Sequence, residues 1–173
     1  MFITQDEGLK KYLDCVITQL RAWLLDSELQ RLVLVITSAD SGETLERWTF
    51  NVHKEERPVL KDGRGEKNGC LPKATASNTA STDPPRKSIK QIQNDIRGIM
   101  LQITSSVTFL PFLNEPCTFD LLVYANNDAK VPTEWEESDP KYIKDSTTVR
   151  LHSFTTKVHK VDTMVAFKNT EDL

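Results

Sequence analysis

The strongest constraint on this chain is an apolar stripe between positions 88 and 111. Ile89, Ile92, Ile96, Ile99, Ile103, Val107 and Leu110 follow one another at steps of 3, 4, 3, 4, 4 and 3 residues, a spacing that only a helix lines up on one face. Ser88 opens this helix and Pro111 ends it after about six turns. So apolar a stripe is expected to form the central helix on which a sheet lies. Gly98 within it costs about 1 kcal/mol against Ala, which predicts close approach of another backbone there.

A second helix is expected from Gln5 to Asp26. Leu9, Tyr12, Leu13, Val16, Ile17, Leu20, Trp23 and Leu24 share one face, and Lys10, Lys11, Asp14, Thr18 and Arg21 the other. Tyr12 and Trp23 are read as core packing. Leu29–Ser38 is rich in β-branched residues, Ala39-Asp40-Ser41-Gly42 is turn chemistry, and Glu43–His53 returns as an antiparallel partner. On the returning strand Trp48, Phe50 and Val52 face one way and Arg47, Thr49 and Asn51 the other, which predicts a half-buried strand. The first strand is apolar on both faces and reads as central.

Residues 55–87 hold Pro58, Pro72, Pro84, Pro85 and the small, polar tract Ala74–Thr82, and are expected to be a disordered insertion within a single domain spanning 1–173. A third strand follows at Thr118–Tyr124, with Phe119, Leu121 and Val123 on one face and Asp120, Leu122 and Tyr124 on the other. Ala125–Thr147 has no period and surrounds Trp135 with acidic residues, which reads as a long ordered loop, because leaving Trp135 in water would forfeit about 1.5–3 kcal/mol of burial. Val149–Thr155 and Lys157–Phe167 read as two closing strands.

Charge and chemistry narrow the function. A formal charge of -3 supplies no basic field for phosphates, so nucleic acid is not an expected partner. Cys15, Cys70 and Cys117 form no CxxC pair, which predicts free thiols and a reducing compartment, with Cys15 a buried, inert thiol. The longest apolar runs fall well short of the ~20 residues of a membrane span. The start at Met1 lacks the features of a signal peptide, giving the expectation of a cytosolic or nuclear protein. No GxSxG, P-loop, HExxH or GxGxxG occurs. His152, His159 and Asp162 are the one constellation that suits a small metal-dependent hydrolase, and scattered strand histidines more often pack or face solvent. No cofactor or resident metal is expected, and the chain reads as a binding protein. A sheet whose edge recruits a foreign strand through its backbone is one arrangement such a pattern allows.

Five blocks carry a resemblance: Glu43-Thr44-Leu45-Glu46-Arg47-Trp48; Gln102-Ile103-Thr104 through Thr108-Phe109-Leu110-Pro111; Phe119-Asp120-Leu121-Leu122-Val123-Tyr124; Val131-Pro132 with Trp135-Glu136-Glu137-Ser138; and Ser153-Phe154-Thr155-Thr156 with His159-Lys160-Val161. Together they resemble the HORMA-domain family in its spindle-checkpoint branch. The plant-type members are the most similar, through His159-Lys160-Val161-Asp162-Thr163 and the start Thr4-Gln5-Asp6-Glu7-Gly8.

The resemblance implies an α+β HORMA domain, an antiparallel sheet backed by long helices, ending in a safety belt at 126–167. It implies an adaptor that restrains the anaphase-promoting complex by capturing a short peptide of the anaphase activator or of its kinetochore receptor, mitotic arrest deficient protein one. The peptide would lie as a strand along Thr118, Phe119, Asp120, Leu121, Leu122, Val123, Tyr124 and Ala125. Belt residues would include Trp135, Val149, Leu151, Phe154, His159 and Val161, and the final strands would change sheet edge between an open and a closed state. An open–closed homodimer would use the surface at Leu101, Gln102 and Phe109, with Leu101 standing where the family usually has an arginine. Nucleus, kinetochore and cytoplasm are the implied locations.

The family begins with a long helix preceding the position of Met1. The expectation is a chain missing that first helix, with part of the Ile89–Leu110 stripe exposed and on the order of 10 kcal/mol of gross burial lost. The HORMA subunit of translesion DNA polymerase, which also grips peptides under a belt, is the alternative within the same fold.

Overall fold

The computed structural model describes residues 4–54, 87–156 and 158–169. The insertion expected at 55–87 lies, save for Lys87, outside the described residues.

Helix α1 (Glu7–Leu25) starts where the Asp6 side chain accepts a hydrogen bond from the Leu9 amide at 2.6 Å, satisfying one of the free N–H groups of the first turn. It ends at Asp26, and Ser27, at φ 57°, turns the chain into the sheet. Strands β1 (Leu29–Ser38) and β2 (Thr44–Lys54) form the expected hairpin, with Gly42 supplying the left-handed backbone of the turn at φ 71°.

Helix α2 (Ile89–Ser105) opens with a reciprocal capping box between Ser88 and Gln91. It is shorter than the apolar spacing predicts. From Ser106 to Thr108 the chain tightens into a 3-10 turn, because the hydroxyls of Thr104, Ser105, Ser106 and Thr108 donate to the carbonyls of Met100, Gln102, Ile103 and Ser105 and compete for helix acceptors.

Four more strands follow: β3 (Cys117–Ala125), β4 (Ser146–Arg150), β5 (Phe154–Thr155) and β6 (His159–Lys168). The expected strand Val149–Thr155 is thus divided: the Leu151 amide still donates to the Thr163 carbonyl at 2.9 Å, and the next amide, of His152, turns to the Gln102 side chain of α2. All pairings are antiparallel and the sheet runs β3-β1-β2-β6-β4, with β5 pairing β6 beyond the end of β4.

Register places Leu121, Leu34, Trp48, Val165 and Val149 in one row across the sheet. Ile103, Leu110 and Leu151 pack on this row, forming the core against which the C-terminal end of α2 sits. β1 is central, as its two apolar faces require, and Val33 and Val35 on the opposite face are fully buried.

β2 is not half-buried: Arg47 and Thr49, on the face opposite Trp48, are buried as well. The alternation in the sequence marks faces correctly but cannot reveal that a distant loop covers the polar one. A Cβ at Gly98 would meet open space, so among the described residues no backbone approaches it. Cys15 is exposed, and Tyr12 is 43% exposed while Trp23 is buried. On α2 only Ile99 is buried, and Ile89, Ile96, Met100 and Leu101 are exposed. The apolar stripe therefore extends well beyond the face that the sheet covers. Among the described residues no helix is long and apolar enough to cross a membrane.

Candidate functional site

The outer strand β3 carries every residue expected to meet a peptide, from Thr118 through Tyr124 to Ala125. Its inner side pairs with β1 from Leu29↔Ala125 to Ser38↔Cys117, and among the described residues no strand pairs with its outer side. An edge of this kind presents a row of N–H and C=O groups that a foreign backbone can use.

Aromatic and charged groups flank the edge. The Phe119 ring meets Tyr12 of α1 edge-on, centroids 6.2 Å apart. Burial, and then the nearby Asp120 carboxylate, push the Tyr12 phenol above its ordinary value, since both disfavour the phenolate. Asp120 lies 3.8 Å from Lys141 Nζ. The Arg31 guanidinium sits 5.2 Å from the centre of the Tyr124 ring, and its Nε donates to Asn51 at 2.7 Å.

From Ala125 the chain leaves β3 and reaches the opposite edge of the sheet at β4. Asn126 is tied back by its amide to the Glu28 carbonyl at 3.0 Å. Trp135 then packs edge-on against Trp23 of α1 at 5.1 Å, and Trp23 Nε1 donates to the Lys130 carbonyl at 3.2 Å. The Pro140 carbonyl accepts from Arg47 Nε at 3.2 Å, and the Tyr142 ring stacks 4.8 Å from the same guanidinium. Asp120, Val35 and Arg47 share one face by register, so Pro140–Tyr142 crosses the sheet on the face opposite α2. Lys141 and Asp145, at φ 50° and 52°, turn the chain into β4.

The belt residues named from the sequence separate into three places. Trp135 holds the crossing segment to α1. Val149 and Leu151 enter the core beneath α2. Phe154 pairs with Val161, and His159 with Lys54, on strands at the far side of the sheet from β3.

The three residues expected at a dimer surface also differ. Leu101 is exposed. The Gln102 side-chain oxygen accepts from the His152 amide at 2.8 Å and faces His152 Nδ1 at 2.9 Å, so it is engaged within the chain. Phe109 lies 6.2 Å from Phe167. Sequence reasoning missed the Gln102–His152 pair, whose members lie 50 residues apart, and the role of Arg47 beneath Tyr142. A lone arginine in a β-rich run and a lone tyrosine in a polar loop were the available signals, and neither names its partner.

The hydrolase constellation does not assemble. His152 is held at α2, whereas Asp162 pairs with His53 and Lys160, each at 3.3 Å. Among the described residues no group of three or more His, Cys, Asp or Glu side chains is placed to hold a metal ion.

The family model for the HORMA domain matches residues 4–163. A Dictyostelium discoideum protein named mitotic spindle assembly checkpoint protein MAD2A is 46% identical over 172 residues, covering 99% of this chain and 74% of that protein. The human protein of the same name is 44% identical over 168 residues, covering 97% of this chain and 72% of its own length. The chain belongs to the MAD2 proteins of the HORMA-domain family.

A maize MAD2 is 43% identical over 171 residues, covering 99% of this chain and 73% of its own. A chain in the crystal structure of the mitotic checkpoint complex superposes with a TM-score of 0.76 at 37% identity, covering 96% of this MAD2-family chain and 77% of that one. C. elegans HTP-2, solved bound to the HIM-3 closure motif, matches with a TM-score of 0.64 at 12% identity, covering 98% and 74%, which shows the shared HORMA fold. Membership in this family bears out the reading of a spindle-checkpoint binding protein without an enzymatic role.

Proposed function

We propose that this MAD2-family protein is an adaptor that captures a short peptide of the anaphase activator, or of its kinetochore receptor mitotic arrest deficient protein one, as an added strand on β3. Residues 126–167 act as the belt and hold the guest by topology, and the captured complex restrains the anaphase-promoting complex. The observation that carries this reading is the position of β3 at the end of the sheet, its outer side unpaired among the described residues, while the chain after it finishes on the opposite edge. Strand addition would supply main-chain hydrogen bonds, and a segment lying across the sheet would slow release beyond what contact area alone predicts.

The same reading takes the arrangement β2-β6-β4 as one of two packings of the terminal strands, the other occupying the β3 edge. An open–closed homodimer through Leu101, Gln102 and Phe109 belongs to the proposal, as do the nuclear and kinetochore locations and a single domain interrupted at 55–87. The plant-type character rests on His159-Lys160-Val161-Asp162-Thr163 and Thr4–Gly8. Checkpoint names on relatives at 43–46% identity favour this reading over the translesion-polymerase subunit and over the hydrolase.

Hydrogen exchange tests it. A saturating synthetic peptide carrying the receptor's motif slows exchange of the amides of Thr118–Ala125 that face outward. Unchanged exchange along β3 in the presence of bound peptide overturns the assignment of this edge.

A further inference from the structure

Arg47 is a feature of the crossing that strand pairing does not explain. It stands in the middle of β2, in the row that contains fully buried Val35, and is itself only 8% exposed. A guanidinium in such a place usually has a carboxylate partner, because an ion taken from water without a counter-charge is costly. Among the described residues none lies within salt-bridge distance, and Arg47 Nη2 is buried with no hydrogen-bond partner. The sheet itself supplies a single contact, from Nη1 to the Thr49 hydroxyl at 3.0 Å. The remaining two belong to the crossing segment: the Pro140 carbonyl at 3.2 Å from Nε, and the Tyr142 ring at 4.8 Å.

We propose that Arg47 is a positioning residue for the belt, clasped between the Pro140 carbonyl and the Tyr142 ring so that the segment closes over the sheet in one register only. Lifting the segment returns the guanidinium to water, so the buried cation opposes any closure that fails to bring both groups onto it. A crossing displaced by one residue would bring a different carbonyl and no ring face to the cation. Specificity of docking, more than its strength, follows from such a group. The ring contributes by its negative face, so an aromatic without the hydroxyl serves as well. Tyr142 is 68% exposed, which means its outer surface is free and its truncation leaves the core intact.

The inference rests on reading residues 126–167 as a belt, and its test separates the two. Opening of the segment is followed by NMR as conformational exchange of residues 141–143, by relaxation dispersion, in the full chain without peptide, for Tyr142→Ala, Tyr142→Phe and Arg47→Met. Tyr142→Ala is expected to raise the open population there about fivefold, with hydrogen exchange of the β1 amides unchanged, while Tyr142→Phe stays within twofold of the parent. In the Arg47→Met background the Tyr142→Ala effect should fall away, as coupled partners require. An undiminished effect in that background, or equal effects of Ala and Phe at 142, overturns the clasp. Should Arg47→Met fail to fold, the Ala and Phe pair at position 142 decides alone. Dissociation of the receptor-motif peptide is then measured on the same variants. Faster release from Tyr142→Ala supports the clasp as part of capture, whereas absence of binding to the parent chain refutes capture and leaves the exchange result to judge the clasp.

Discussion

Replacing Trp135 with Ala releases the segment between β3 and β4 from α1. The indole is half-buried and meets the Trp23 ring edge-on at 5.1 Å. A fully buried aromatic covers roughly 150–250 Å2, so truncating a half-buried one re-exposes on the order of 100 Å2, or about 2.5 kcal/mol at ~25 cal/mol per Å2. The edge-to-face contact adds about 1 kcal/mol. Because the opened segment still hides part of this area, about 3 kcal/mol is expected, which is close to a hundredfold in the opening equilibrium. Two amides report it directly: Ala129, bonded to the Asn126 carbonyl at 3.0 Å, and position 135, bonded to the Pro132 carbonyl at 3.1 Å. Their exchange should accelerate about a hundredfold, while amides of β1, paired on both sides, keep their protection. Equal acceleration throughout β1 and β2 would mean that Trp135 stabilises the whole domain instead of the segment. No acceleration at either reporter would refute the contact as a tether.

Tyr12 provides a pH signature. Burial and Asp120 raise its folded value above the unfolded one, so the folded state binds more protons in the alkaline range; stability is full below about pH 10 and declines as pH rises through the folded value. Tyr12→Phe should flatten that decline in denaturation measured from pH 9 upward, and Asp120→Asn should restore only part of the ordinary titration, since burial is the larger cause. Gln102→Ala should speed exchange of the His152 amide up to about tenfold, and Gln102→Glu, which keeps an acceptor, should not. An unaltered His152 amide in Gln102→Ala would exclude Gln102 as its acceptor in solution.

The chain's local structure was largely written in its periodicities. Steps of three and four placed α1 and α2, a β-branched run apolar on both faces placed β1, alternation set the faces of β2 and β3, and Ser88 and Gly42 marked a helix start and a hairpin turn. These features depend on neighbours a few residues apart, so the sequence displays their causes directly. The five resemblance blocks pointed to the same candidate edge, but through likeness to a family and not through physics.

Tertiary structure decided what local pattern cannot encode. Arg47 and Thr49 look solvent-facing by alternation, yet both are buried, Arg47 under a segment more than ninety residues away. Gly98 suggested a close backbone and has open space instead, and Tyr12 sits on an apolar stripe but only partly in the core. Which edge of the sheet receives β4 and β6 is likewise absent from strand propensity, because either edge offers the same row of backbone donors and acceptors. The choice falls to long-range packing: Val165 and Val149 complete the row that Trp48 begins, and Leu151 closes over it beside Ile103. That burial exists only once distant segments have met, which is why β3, among the described residues, keeps its outer side unpaired for a reason no stretch of sequence contains.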